Sequence, residues 1–168
     1  SLRRLIFSLS RLNNLRFELY GVMRVKFIQA EETFPLRQQI LKPGCALTSC
    51  YFPKDNEPGT FHLAVVENEE VISIGSFNRC NLPFFGETVQ YNLKGMATSN
   101  VHRGKHAGSE LMKYAFKHLK EKGIELLWCN ARVSAVGFYQ KLGFTPIGDE
   151  FEVEGIGMHQ TMYIKLAD

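Results

Sequence analysis

Hydrophobic positions repeat with a helical period in one long stretch of the chain. Apolar residues separated by three or four positions lie on one face of a helix, and five residues share such a face here: Leu111, Met112, Ala115, Phe116 and Leu119. The pattern predicts a long amphipathic helix through Lys122, and Gly123 is the expected C-terminal cap. The residues before this helix alternate as a strand does.

Shorter patterns predict the remaining elements. Alternating or continuous apolar runs predict strands over residues 25–28, 61–66, 71–77, 87–96, 124–130, 144–153 and 158–166. Helices are predicted over residues 31–41 and 134–142, the first with Pro35 in an early turn and both followed by glycine. This order of elements predicts an α+β domain built on a mixed sheet.

The first 22 residues form a separate pattern. Leucine and isoleucine residues occupy one predicted helical face, surrounded by arginines. Such an acid-poor amphipathic segment resembles an organelle transit sequence, but a docking helix or residues of cloning origin fit equally well. We therefore expect residues 1–22 to be an N-terminal amphipathic extension and residues 23–168 to be the main domain.

A basic loop containing glycine precedes the long helix. The first amides of a helix lack intrahelical acceptors, and the helix dipole adds partial positive charge there, so this position suits a phosphate group. The expected anion-binding residues are Arg103, Gly104, Lys105, His106, Ala107, Gly108 and Ser109. The alternative is a glycine-containing turn with a solvated basic surface, and the loop matches neither a P-loop nor a dinucleotide fingerprint.

At two motifs the chain resembles the GNAT superfamily of acyl-CoA-dependent N-acyltransferases. The loop reads Arg103-x-x-His106-x-Gly108, which matches the ends of the family's pyrophosphate loop but has histidine in place of its middle glycine. About thirty residues later, Ala135-x-x-Phe138-Tyr139-x-Lys141-x-Gly143-Phe144 is similar to the family's second motif. The resemblance covers roughly residues 25–166.

The resemblance implies the acyl-CoA N-acyltransferase fold, a mixed, mostly antiparallel central sheet of about six or seven strands flanked by helices. In that fold the fourth and fifth strands diverge, and the pantetheine arm of acetyl-CoA enters between them. The backbone of Met96, Ala97 and Thr98 would then pair with pantetheine as an added strand does. Asn130 would contact pantetheine or strand backbone, but many relatives place this asparagine two residues later, where the chain has Arg132, which would then approach the cofactor phosphate or a partner residue. Tyr139 would protonate the leaving thiolate; the alternative is that Tyr139 and Phe138 both pack in the core.

The general base and the acceptor are less defined. The position at which some relatives carry a catalytic glutamate is Gln90, so Glu87, Glu32 or His159 remain candidates, as does an amine that arrives already neutral. We expect Arg37 to be a solvated surface residue rather than a substrate ligand, and His62 to be a structural histidine. The acceptor is expected to be a small molecule or peptide carrying a primary amine. The alternative function is a non-catalytic module that binds acyl-CoA.

Composition and charge limit the partners, the metal sites and the cellular location that we expect for the protein. A net charge of +3 without a long basic stripe does not indicate nucleic acid, and no apolar run is long enough to span a bilayer. The four cysteines match no zinc or redox spacing, so we expect reduced thiols, no metal and a cytoplasmic location. A homodimer is compatible with the sequence.

Overall fold

A computed structural model of the protein describes residues 22–86 and 89–166. Almost all of the predicted N-terminal extension, and the base candidate Glu87, therefore lie outside the described residues. Within them the chain forms a single eight-stranded sheet flanked by helices. The predicted fold class is confirmed, with one strand more than expected.

The elements follow one another in an order close to the predicted one. The strands are β1 Arg24–Ile28, β2 Phe61–Glu67, β3 Glu70–Arg79, β4 Gln90–Thr98, β5 Leu126–Arg132, β6 Thr145–Pro146, β7 Phe151–Val153 and β8 Gly157–Lys165. The α-helices are α1 Ala30–Leu36, α2 Ala107–Glu121 and α3 Val136–Lys141. A π-helical turn, Arg37–Leu41, continues α1, and short 3-10 turns cover Leu47–Cys50, Pro83–Phe85, Asn100–His102 and Val133–Ala135.

The sheet runs in the order β1, β2, β3, β4, β5, β8, β6, with β7 pairing to β8. Among the strands of the described residues, only β4 and β5 pair in parallel, because α2 crosses over between them, and the other neighbours are antiparallel. The apolar face of α2 covers one side of the sheet and fills the larger core with Leu111, Met112 and Leu119. The α1 segment covers the other side with a smaller cluster around Leu36 and Ile74.

Two predicted elements differ in detail from the structure. The predicted strand over residues 144–153 is interrupted, since Pro146 lacks an amide donor and Gly148 adopts a φ of +73°. The predicted first helix is regular only to Leu36, after which the backbone widens into the π-helical turn. The long helix ends as expected, with Gly123 at a φ of +71° one residue past its cap.

Candidate functional site

The central feature of the site is a gap between β4 and β5. The two strands pair over only four positions, from Gln90 with Leu126 to Leu93 with Cys129. Beyond Leu93, β4 stays paired with β3 as far as Thr98, while β5 stays paired with β8 as far as Arg132. Each strand keeps its outer neighbour and loses its inner one. The inner edges of Lys94–Thr98 and Asn130–Arg132 therefore face a wedge-shaped cleft.

A β-bulge lies at the point where β4 leaves β5. Its register against β3 shifts between Ile74 and Ser76, opposite Gly95 and Met96. Gly95 has a φ of +66°, and an added Cβ there would lie 2.8 Å from Cε2 of Phe52. Only glycine fits both the backbone conformation and the space. A bulge bends its strand, which accounts for the direction in which β4 departs.

The loop before α2 forms a tight turn in which a histidine adopts a conformation favoured by glycine. His106 is exposed and left-handed, with φ 63° and ψ 17°, a region in which histidine is found more often than most residues. The amide of Glu110 donates the first bond of α2, to the carbonyl of His106. The amides of Ala107, Gly108 and Ser109 therefore precede the helical ladder and have no acceptor within it. The predicted anion-binding geometry is compatible with His106.

Gly108 lets three elements meet at the start of α2. A Cβ there would lie 3.1 Å from Cε of Met96 and 3.2 Å from Cζ of Phe138. The side chain of Met96 thus packs under α2, and its backbone edge is left at the cleft. The match between Gly108 and the family motif has a packing reason in this chain.

The loop is also held from below by a residue that the sequence analysis missed. Glu67, nearly buried at the end of β2, lies 3.4 Å from Nζ of Lys105 and 3.6 Å from Nε2 of His102. Lys105 was predicted as an anion ligand, and its exposed ammonium group contacts this carboxylate. Arg103 and Gly104 are exposed on the same loop. Lys105 and Glu67 are 38 positions apart in the sequence, so no local sequence pattern predicts their contact.

Tyr139 lies beside the closed end of the cleft, on α3. Its side chain is buried, and its ring meets those of Phe138 and Phe144 edge-on at 5.1 and 5.3 Å. Burial raises the pKa of its hydroxyl well above the ordinary value, and the nearby Cys129 thiol adds to the rise. Tyr139 is therefore protonated at neutral pH. Although Phe138 is its neighbour on a helix, both rings pack against the same core.

Three other polar residues named in the sequence analysis each make a different contact. Asn130 is exposed beside the cleft, where its Oδ1 accepts a hydrogen bond from Oγ1 of Thr161 at 2.7 Å. Gln90 is fully buried and bonds both backbone groups of Leu82, so it holds the loop over residues 80–86. The carboxylate of Glu32 accepts the Gln29 amide as a helix cap.

His159 is the base candidate that lies on β8, one strand away from the cleft. It pairs in register with Arg132 and is buried against the ring of Phe151. Its Nδ1 lies 2.8 Å from the carbonyl oxygen of Gly157, and because a carbonyl only accepts, Nδ1 is the donor. That bond leaves Nε2 as the nitrogen able to take a proton in the neutral ring.

The prediction that Arg37 is a solvated surface residue was wrong. Its side chain is completely buried, with bonds of 2.6 and 2.9 Å to the two carboxylate oxygens of Asp55 and of 2.7 Å to Oγ of Ser76. The Phe52 ring lies 3.9 Å from its guanidinium carbon. Burial alone would raise the pKa of Asp55, but the bonds from Arg37 and from the Phe52 amide hold it below its ordinary value.

This network supports the bulge from beneath. Nε of Arg37 would be 3.2 Å from a Cβ on Gly95, so the guanidinium packs directly under β4. His62 joins the network through Ser76 Oγ at 2.7 Å and the carbonyl of Asp55 at 2.9 Å, which confirms its structural role. The partners of Arg37 come from a loop and another strand, and sequence spacing gives no sign of them.

Residues 22–86 and 89–166 contain neither a membrane-spanning helix nor a metal-binding cluster. No helix there is long and apolar enough to cross a membrane. No group of three or more histidine, cysteine, aspartate or glutamate side chains there is arranged to hold a metal ion. All four cysteines are free thiols.

Comparison with known proteins gives a consistent result. A family model described as an acetyltransferase (GNAT) domain matches residues 44–166. An uncharacterized N-acetyltransferase of Bacillus subtilis, YitI, is 40% identical over 142 residues, which are 84% of this chain and 95% of the relative.

Solved structures with little sequence identity share the fold. The ribosomal-protein-S18-alanine N-acetyltransferase of Escherichia coli superposes with a TM-score of 0.69 at 13% identity, covering 88% of this chain and 96% of that one. An aminoglycoside 6'-N-acetyltransferase in complex with coenzyme A gives a TM-score of 0.63 at 13% identity, over 86% and 98% of the two chains.

Proposed function

The chain belongs to the GNAT family of acetyltransferases, and on that premise we propose that it transfers an acetyl group from acetyl-CoA to a primary amine of a small molecule or peptide. In this proposal the amine attacks directly within a ternary complex. The observation that carries it is the cleft between β4 and β5, with unpaired backbone on its β4 side from Lys94 to Thr98. An extended pantetheine arm needs such an edge.

The residues of the chain fit this cofactor at two places. The backbone of Met96, Ala97 and Thr98 offers a free strand edge to the pantetheine amides. The amides of Ala107, Gly108 and Ser109 offer donors to the diphosphate at the helix N-terminus. Arg103, Gly104 and His106 border that position from the exposed side of the loop. Asn130 lies across the cleft from the β4 edge.

Acetyl-CoA, when bound, supplies an activated acyl thioester. As the bond from the amine nitrogen to the acyl carbon forms and the bond from carbon to sulfur breaks, Tyr139 donates its proton to the sulfur. A tyrosine hydroxyl is protonated at neutral pH, so this proton is available before the reaction. Nε2 of His159 takes the proton released by the amine, directly or through water. Orientation in the cleft supplies the remaining acceleration.

A second candidate is a module that binds acyl-CoA without catalysis. Gln90 stands where some relatives carry a catalytic glutamate, and here its side-chain amide bonds both backbone groups of Leu82. That observation favours the module, whereas the protonated Tyr139 beside the cleft favours the enzyme. Both candidates require acetyl-CoA binding, so turnover must separate them.

The test is a panel of primary amines assayed for thiol release from acetyl-CoA. We expect turnover of at least one amine by the native protein and a loss of about tenfold or more in kcat for Tyr139→Phe, because a positioned acid contributes at least that much. The dissociation constant for CoA should change by less than about twofold. Tyr114→Phe, on the exposed side of α2, is the matched control and should behave as the native protein.

Binding of CoA without turnover of any amine would favour the module. Equal rates for Tyr139→Phe and native protein would remove Tyr139 from the mechanism.

We also propose a domain boundary near residue 23 and a cytoplasmic location. Both rest on the sequence patterns alone.

A further inference from the structure

Three positive side chains gather where the cleft opens on the face of the sheet opposite α2. Lys94 directly follows Leu93, the last residue of β4 that pairs with β5, and lies 5.1 Å from the Phe52 ring. Lys42, just after the π-helical turn, lies 5.7 Å from the same ring. Nη2 of Arg132, at the end of β5, lies 3.4 Å from the carbonyl of Leu41. The three side chains thus come from both sides of the cleft, Lys94 from β4 and Arg132 from β5.

The position of this group relative to the reaction follows from the side-chain directions. Leu93 and Cys129 belong to the core beneath α2, as do Ala131 and Met162. Their neighbours in the strands, among them Lys94 and Arg132, therefore project from the other face. A cofactor whose diphosphate rests at the start of α2 passes through the cleft toward that face. In the proposed complex its sulfur would lie within the cleft, and the amine would approach from the face that carries these cations.

These cations lack carboxylate partners, which some basic residues of the described chain have and others do not. Arg37, on the inner side of Phe52, is neutralised by Asp55. Lys105 faces Glu67, and Lys113 faces Glu110. Across residues 22–86 and 89–166, no carboxylate lies within ion-pair distance of Lys42, Lys94 or Arg132. Their hydrogen bonds, where present, go to the carbonyls of Ser49 and Leu41.

We propose that the acceptor carries a carboxylate or similar anionic group, which Lys94 and Arg132 bind with support from Lys42. Both side chains are exposed before the acceptor arrives, so little desolvation opposes the contact. Guanidinium binds a carboxylate with two parallel bonds, and the ammonium of Lys94 supplies a point charge from the opposite wall. A polyamine meets repulsion at the same place. The inference rests on the proposed function, since that function sets which face the acceptor occupies.

The test uses glycine, β-alanine and 4-aminobutyrate, each compared with its neutral primary amide. Values of kcat/KM are corrected for the fraction of neutral amine at the assay pH. A second readout needs no turnover: calorimetric binding of 4-acetamidobutyrate and of its amide to the protein saturated with CoA. Both are measured for native protein, Lys94→Gln, Arg132→Gln and the control Lys120→Gln, whose lysine is exposed on α2.

We expect the native protein to prefer the carboxylate by about tenfold or more, the size of a charge-assisted hydrogen bond. Lys94→Gln and Arg132→Gln should each reduce that preference severalfold, and Lys120→Gln should retain it. Equal binding of acid and amide by the native protein would overturn the inference, as would an unchanged preference in both cleft variants. Turnover of amines without such a preference leaves the proposed catalysis standing. Preferential binding of the acid without turnover of any amine supports the anion site and removes the catalytic proposal.

Discussion

The two halves of β4 belong to one strand and serve different ends. The lower half, Gln90–Leu93, is bonded on both sides and entirely buried. Within the described residues, the upper half, Lys94–Thr98, keeps β3 as its only strand partner, and apart from the buried Ala97 its residues are exposed or half-buried. The lower half holds the sheet together, and the upper half leaves backbone groups free for a ligand. A strand in the middle of a sheet can thus have a free backbone edge where its neighbouring strand diverges.

The change between the halves comes from local causes. The bulge at Gly95 bends β4, and the Phe52 ring occupies the space that a side chain at position 95 would need. Arg37 lies beneath and fixes Phe52, with Asp55 balancing its charge. The upper half therefore packs against the buried ion pair of Arg37 and Asp55, whereas the lower half pairs with β5.

Removing that support should have the largest effect. Arg37→Met leaves the Asp55 carboxylate buried without its partner, and we expect a loss of about 3–5 kcal/mol in the free energy of unfolding. Denaturant titration measures it. Arg24→Met removes an exposed pair with Glu69 and should cost less than about 1 kcal/mol. If both variants lost the same small amount, the buried pair would not be the support of the upper half.

A smaller effect is expected from the bulge itself. Gly95→Ala places a Cβ at a φ of +66° and 2.8 Å from Phe52, so we expect about 1–3 kcal/mol of destabilisation and weaker binding of CoA. Gly123→Ala is the matched control, because its φ is +71° but nothing lies within 4 Å of the added atom. It should cost about 1 kcal/mol and leave CoA affinity unchanged. Equal CoA affinity in the two variants would show that the bulge does not shape the CoA-binding cleft.

The mildest test is acidification. Because the pKa of Asp55 in the folded protein lies below its ordinary value of 3.8, its carboxylate stabilises the fold above that value, and this contribution disappears as pH falls through the lowered pKa. Stability curves for native protein and Asp55→Asn should therefore converge at acid pH and differ most near neutrality. Parallel curves over the whole range would show that Asp55 does not titrate in this way.

The sequence predicted those features that depend on local periodicity. The face formed by Leu111, Met112 and Leu119 indicated α2, and the motif around Tyr139 indicated its place near the cleft. The order of strands, read with the family resemblance, predicted where β4 and β5 diverge. The helix depends on spacing along the chain, whereas the divergence of the strands and the place of Tyr139 were implied by the family resemblance.

The features that the sequence did not predict depend on distant partners. Arg37 looked like a surface residue because its helix is short and polar, and its partners Asp55 and Ser76 lie 18 and 39 positions away. Glu67 meets Lys105 only because the loop folds over the end of β2. The predicted strand over residues 144–153 failed since Pro146 and Gly148 outweighed its apolar pattern.

The most direct test of the account is a crystal structure of the protein with CoA. We predict that the pantetheine arm lies between β4 and β5, with its amides bonded to the backbone of Met96–Thr98, and that the diphosphate lies on the amides of Ala107–Ser109. CoA bound at another place would contradict the account. So would a cleft that closes by pairing Lys94–Thr98 with Asn130–Arg132.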